Sequence, residues 1–117
     1  MHFNNAGHAD AICFRPTGDG SPLVLATTEP LINPEFMDME MPAQALEFPP
    51  GSQLLLLTDG ISEARSPAGE MFTRQRAMAA ASQQPMAMAA AVLEALTRFR
   101  AGRPQEDDYT LLSVTRR

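Results

Sequence analysis

Four consecutive leucines at positions 54–57 lead directly into the tripeptide Thr58-Asp59-Gly60. An apolar run that does not alternate is typical of a central strand covered on both faces. Because a buried, unpaired carboxylate is costly, the strand must end where Asp59 begins. Asp59 then has two interpretations. It starts a turn or caps a helix, or it lies at the edge of a sheet and binds a cation.

Length and charge limit the classes of partner. The chain has 117 residues, which suits one domain or part of one. Its formal net charge is −5 and every basic residue is an arginine. This balance argues against a nucleic-acid partner, which would require a basic face. The single cysteine, Cys13, favours a reducing compartment. Without a recognisable signal peptide or membrane span, we expect a soluble, cytoplasmic protein with no membrane partner.

The hydrophobic pattern predicts an α+β fold, with strands first, then two helices and a last strand. Strands are predicted at residues 1–5, 11–15, 22–26, 37–48, 53–58 and 107–117, and helices at 73–84 and 85–100. Turn residues between the second and third strands predict a hairpin. In the second helix, Met88, Val92, Leu96 and Phe99 share one face.

Two acidic sites lie at strand ends in this scheme. Asp59 follows the leucine strand, and Asp107 and Asp108 precede the last strand. If these strands are antiparallel neighbours, the carboxylates meet at one edge of the sheet, as the oxygen ligands of a hard cation do. Taken singly, each site is better explained as a turn or a solvated acidic loop.

The sequence lacks residues that several other classes of phosphatase and hydrolase require. A cysteine-dependent phosphatase needs an arginine six positions after its cysteine, where Cys13 is followed by Asp19. A haloacid-dehalogenase site needs an aspartate at the position of Leu57. The chain has no Gly-x-Ser-x-Gly elbow. Metal-assisted hydrolysis remains, because it needs no covalent nucleophile from the protein.

Four motifs together indicate a family. The segments "NNAGHADAICFR", "LLLLTDGISEAR", "SPAGEMF" and "EDDYTLLSV" follow one another along the chain. In this order the chain resembles the bacterial metal-dependent serine/threonine protein phosphatases of the type 2C-like branch, which includes stage II sporulation protein E and sigma-factor regulatory phosphatases. The resemblance implies that residues 1–117 are the C-terminal part of a layered α-β-β-α sandwich, mainly antiparallel, with the N-terminal half of the domain absent.

The same resemblance implies a function and its ligands. The reaction is hydrolysis of phosphoserine or phosphothreonine on a regulatory protein, such as an anti-sigma-factor antagonist, with two Mn²⁺ or Mg²⁺ ions. Asp59 and Asp107 match metal ligands, and Gly60 keeps the backbone close to the site. The turn from Asn5 to His8 matches a conformational motif, and no catalytic residue is assigned. An upstream sensor or receiver domain is the implied partner within a longer protein.

The departures from the family pattern limit what the chain can do alone. No segment matches the upstream family motif whose aspartate bridges the two metals. Ser52 replaces an acidic residue of the pattern, and Thr73 replaces a glycine. We therefore expect this chain alone to be inactive, as part of a longer phosphatase. The alternative is a catalytically inactive, phosphatase-like module that binds a signalling partner.

Overall fold

The computed structural model describes residues 1–16, 20–28, 33–36 and 40–117. The chain divides into two compact units, Met1–Leu54 with Val114–Arg117 and Leu55–Ser113. The strands are β1 (His2–Phe3), β2 (Ala11–Phe14), β3 (Leu23–Leu25), β4 (Gln44–Ala45), β5 (Gln53–Leu57) and β6 (Leu111–Thr115). The helices are α1 (Asp59–Ser62), α2 (Thr73–Gln83) and α3 (Met88–Arg100), with 3₁₀ turns at Pro34–Phe36 and Pro85–Ala87. The predicted α+β class is confirmed.

In the first unit, β2 and β3 form the predicted antiparallel hairpin. Ile12 pairs with Val24, and Cys13 pairs with Leu23. Ile12 and Cys13 are fully buried. Burial raises the pKa of the Cys13 thiol, and the positive charge of Arg15 only partly opposes this shift. A raised thiol pKa leaves little reactive thiolate, so Cys13 behaves as a small apolar strand residue.

The predicted strand at residues 37–48 is much shorter in the structure. Residues 37–39 lie outside the described residues, and within 40–48 only Gln44–Ala45 is a strand, which pairs antiparallel with β1. Pro42 lies just before it and has no backbone N–H to donate to a ladder. The alternating pattern therefore indicated the pairing but overestimated its length.

The leucine strand β5 is buried on one face and only partly covered on the other. It lies beside β6. Leu55 and Leu57 are 0% and 3% exposed, whereas Leu54 and Leu56 are half-buried. Successive side chains of a strand point to opposite faces, so one complete face of β5 lacks full cover. The prediction that β5 is covered on both faces is therefore wrong.

Helices α2 and α3 pack against each other in the second unit. Ala77 and Ala81 are the buried residues of α2, and their small side chains permit close packing. Buried residues of α3 are Met88, Ala91, Val92 and Leu96, which confirms most of the predicted apolar face. Phe99 is partly exposed and its ring lies 5.4 Å from that of Phe72. None of the helices in the described ranges has the length and apolar character that a membrane crossing needs.

Candidate metal-binding site

Asp59 lies where β5 gives way to the short helix α1. Thr58 is the N-cap residue and is still extended, with φ −79° and ψ 160°. Asp59 is the first helical residue, and its Oδ1 accepts the backbone N–H of Gly60 at 3.0 Å. The side chain is exposed. Asp59 therefore does begin a helix, and among the residues that the structure describes its second carboxylate oxygen has no hydrogen-bond partner.

Asp107 lies in the loop between α3 and β6. Its Oδ1 accepts the backbone N–H of Asp108 at 2.7 Å, and its carbonyl oxygen accepts a hydrogen bond from Nε2 of Gln105 at 2.7 Å. Both aspartates of the loop are exposed. Asp59 and Asp107 thus share one local geometry, in which one carboxylate oxygen accepts the N–H of the following residue.

The structure brings the two acidic loops into direct backbone contact. The Thr58 N–H donates to the carbonyl of Thr110 at 3.1 Å, and the Thr110 N–H donates to Oγ1 of Thr58 at 3.0 Å. A Cβ on Gly60 would lie 2.4 Å from the carbonyl oxygen of Asp108 and 3.4 Å from Cβ of Asp107. Only glycine fits at this junction. The sequence prediction that the two loops converge is supported by these contacts.

A cavity of about 240 Å³ opens beside this junction. Its lining includes Gly60, Glu63, Arg65, Glu106, Asp107 and Tyr109. Three carboxylates and one guanidinium give it a negative balance, which favours cations. Glu63 follows Asp59 in the sequence as a second acid and Glu106 opens the last motif, but neither was predicted to line a site.

The chain's own residues fit part of a metal site. Carboxylate oxygens are the ligands that Mg²⁺ and Mn²⁺ prefer, and the glycine at position 60 allows the two aspartate loops to approach. Within the described residues, however, no group of three or more His, Cys, Asp or Glu side chains is arranged to hold an ion. Asp59 and Asp107 by themselves therefore do not make a complete metal site.

The Asn5 to His8 turn belongs to the first unit and is held by its own hydrogen bonds. Oδ1 of Asn5 accepts the backbone N–H of His8 at 2.9 Å. Asn5 also bonds Thr28, whose N–H donates to the Asn5 carbonyl at 3.1 Å. The exposed His8 ring has Nδ1 2.8 Å from the carbonyl of Ala9. These contacts give the motif a conformational role.

Comparison with known proteins identifies the family. The family model for stage II sporulation protein E (SpoIIE) matches residues 1–117. The chain belongs to this family. A comparison with curated proteins gave no match. The resemblance found in the four sequence motifs is therefore confirmed.

Solved structures show that the fold is that of type 2C phosphatase domains. The SiaA-PP2C domain of Pseudomonas aeruginosa matches with a TM-score of 0.66 and 22% identity, over 92% of this chain and 42% of that chain. Two structures of the SpoIIE phosphatase domain of Bacillus subtilis match at 17% identity. The manganese-presoaked structure has a TM-score of 0.59 and matches over 99% of this chain and 55% of that chain. The other has a TM-score of 0.56 and matches over 98% of this chain and 56% of that chain. This chain spans about half the length of these relatives.

Proposed function

We propose that this chain is the C-terminal part of a metal-dependent protein serine/threonine phosphatase domain. Its substrate is a phosphorylated regulatory protein, such as an anti-sigma-factor antagonist. Asp59 and Asp107 each supply a ligand to a site for two Mn²⁺ or Mg²⁺ ions, and the remaining ligands come from the other half of the domain. An upstream sensor or receiver domain controls the longer protein.

The observation that carries this proposal is the packing of Gly60 against the loop of Asp107 and Asp108. Residues 47 or 48 positions apart in sequence meet so closely that no side chain fits at position 60. This packing brings together the backbones of two loops whose aspartates, Asp59 and Asp107, are exposed, which supports a cation site between them. When bound, the two ions activate a water molecule and neutralise phosphoryl oxygens.

Each residue of the junction has its own task in this proposal. Asp59 and Asp107 each use one oxygen for a backbone N–H, which orients the carboxylate and leaves the other oxygen for the ion. Thr58 ties the two loops together through its backbone and hydroxyl. The negative cavity beside Asp107 draws cations toward the site. The inactive, partner-binding module is not favoured, because both acidic loops are intact.

The first test is to determine the nucleotide sequence upstream of the codon for Met1. An in-frame segment that carries a further aspartate motif is expected. The longer protein should then release phosphate from a phosphoserine protein only when manganese is present. Asp59→Asn should abolish this release, and Asp108→Asn, the matched change on the neighbouring acid, should retain it. Full activity of the Asp59→Asn protein would overturn the proposal.

A further inference from the structure

We infer that Arg103 is a positioning residue that holds the Asp107 loop in place for the metal. The inference rests on the proposed metal site, and it assigns a role to a residue outside the motifs of the family. Arg103 lies after the end of α3, between Gly102 and Pro104. It does not line the cavity beside Asp107, so it acts through other residues.

The guanidinium of Arg103 joins two segments that are far apart in sequence. Its Nη1 donates to the carbonyl of Ser66 at 3.0 Å, and its Nε donates to Oε1 of Glu106 at 3.0 Å. Nη2 completes the ion pair with the same Glu106 oxygen at 2.5 Å. The Arg103 side chain is 31% exposed. One planar group thus binds both partners with a fixed geometry, which a lysine cannot reproduce.

Both partners of Arg103 adjoin the cavity. Ser66 directly follows the lining residue Arg65, and Glu106 lines the cavity itself, next to Asp107. Ser66 is buried and organises a tight turn, in which its N–H and its hydroxyl both bond Glu70. Arg103 therefore joins the Asp107 loop to a hydrogen-bonded turn.

Further contacts hold the same loop from its other side. Arg100 donates through Nη2 to the carbonyl of Arg103, and its guanidinium lies 5.5 Å from the centre of the Tyr109 ring. Tyr109 is half-buried and lines the cavity. The loop is thus held near both of its ends, and Asp107 lies between the two points of attachment.

Another ion pair of the second unit provides a matched control. Arg98 pairs with Glu94 along α3 at 3.6 Å, with side chains 72% and 61% exposed. An exposed pair of this kind contributes little to stability. Arg98→Gln removes the same charge from the same unit, without touching the Asp107 loop.

The test compares the wild-type chain with Arg103→Gln, Arg103→Lys and Arg98→Gln. The dissociation constant for manganese is measured by calorimetric titration, and the exchange of backbone amides is followed without metal. Arg103→Gln is expected to weaken manganese binding about 10-fold or more, as the loss of a group that orients a metal ligand does. Amides of residues 105–109 should exchange faster, while those of α3 stay protected. Arg103→Lys should be intermediate, and Arg98→Gln should match the wild type.

The outcomes separate this inference from the proposed function. Equal manganese affinity in the wild type and in Arg103→Gln would overturn the role of Arg103 and leave the metal site intact. A wild-type chain that binds no manganese would overturn the role of Arg103 in this chain, whereas the proposed function is decided separately by phosphate release from the longer protein. If Arg103 had a purely structural role, Arg103→Gln would lower the melting temperature without changing the affinity for manganese. If Arg103→Gln fails to fold, the affinity of Arg103→Lys decides in the same way.

Discussion

Thr58 and Thr110, 52 residues apart, donate hydrogen bonds to each other in both directions. The backbone N–H of Thr58 donates to the carbonyl of Thr110 at 3.1 Å, and the hydroxyl of Thr58 accepts the N–H of Thr110 at 3.0 Å. The second bond replaces a backbone ladder bond with a side chain at the point where β5 ends. It therefore lets the chain turn into α1 while the loop of Asp107 and Asp108 stays attached.

Thr58→Val should loosen this attachment. Valine has the shape of threonine but accepts no hydrogen bond, so the N–H of Thr110 loses its partner. Because Thr110 is exposed and water can replace part of the bond, we expect a loss of about 0.5–1.5 kcal/mol in the free energy of unfolding. Urea unfolding measures the loss. Thr58→Ser keeps the hydroxyl and is the control; a Ser variant less stable than the Val variant would contradict the role of the hydroxyl.

Gly60→Ala should disturb the junction more strongly. The added methyl group would lie 2.4 Å from the carbonyl oxygen of Asp108, so the backbone of one loop must move. Forced overpacking of this kind costs about 1–3 kcal/mol, and the movement should also reduce stabilisation by manganese. Thermal melts with and without manganese show both effects.

Gly69→Ala is the control for Gly60→Ala, because it introduces backbone strain without a steric clash. Gly69 has open space around it but a φ of 85°, so alanine there meets strain and no clash. It should lower stability by about 1–2 kcal/mol and leave the stabilisation by manganese unchanged. If Gly60→Ala and Gly69→Ala are both stabilised by manganese as much as the wild type is, close packing at Gly60 has no bearing on the site.

The two faces of β5 should differ in their sensitivity to truncation. Leu55 is fully buried, so Leu55→Ala should cost about 2–5 kcal/mol of unfolding free energy. Leu56 is only half-buried, so Leu56→Ala should cost about half of the roughly 1.5–3 kcal/mol that full burial of a leucine contributes. Chemical denaturation of the two variants gives the comparison. Equal losses would show that both faces are covered in solution.

Local patterns in the sequence predicted the elements well, because they depend on neighbouring residues. The hairpin of β2 and β3 follows from two apolar runs around turn residues, and α3 follows from the spacing of Met88, Val92 and Leu96. The meeting of the two acidic loops was also predictable, since both lie at ends of strands that could be neighbours.

Features that depend on burial by other elements, or on contacts with residues far away in sequence, could not be predicted. An uninterrupted leucine run looks the same whether one face or both faces are covered, so the half-burial of Leu54 and Leu56 was missed. Arg103 contacts Ser66, 37 residues away, through a backbone carbonyl, and such a carbonyl leaves no trace in the sequence. Thr58 was missed as a link because its hydroxyl has no partner within its own motif.

Thr73 is a source of strain that can be removed. It is the first residue of α2 and has a φ of 67°, a conformation that a β-branched residue rarely adopts. The left-handed conformation costs a non-glycine residue about 1–2 kcal/mol, part of which is offset by the greater entropy of glycine in the unfolded chain. Thr73→Gly should therefore raise the free energy of unfolding by up to about 1 kcal/mol. Thr73→Ala keeps the strain and should bring less gain; a larger gain with alanine would locate the effect elsewhere.

Manganese should stabilise the chain through Asp59. An ion that binds only the folded state raises the unfolding free energy, by about 2.7 kcal/mol at 100 times its dissociation constant. Asp59→Asn removes the negative charge, but the amide oxygen can still accept the N–H of Gly60, so the metal-free melting temperature should change little. Asp108→Asn makes the same change on an exposed neighbour and should keep the response to manganese. Thermal melts of the three proteins over a manganese titration decide the matter: if Asp59→Asn gains as much stability as the wild type, Asp59 is a helix-start residue and not a ligand.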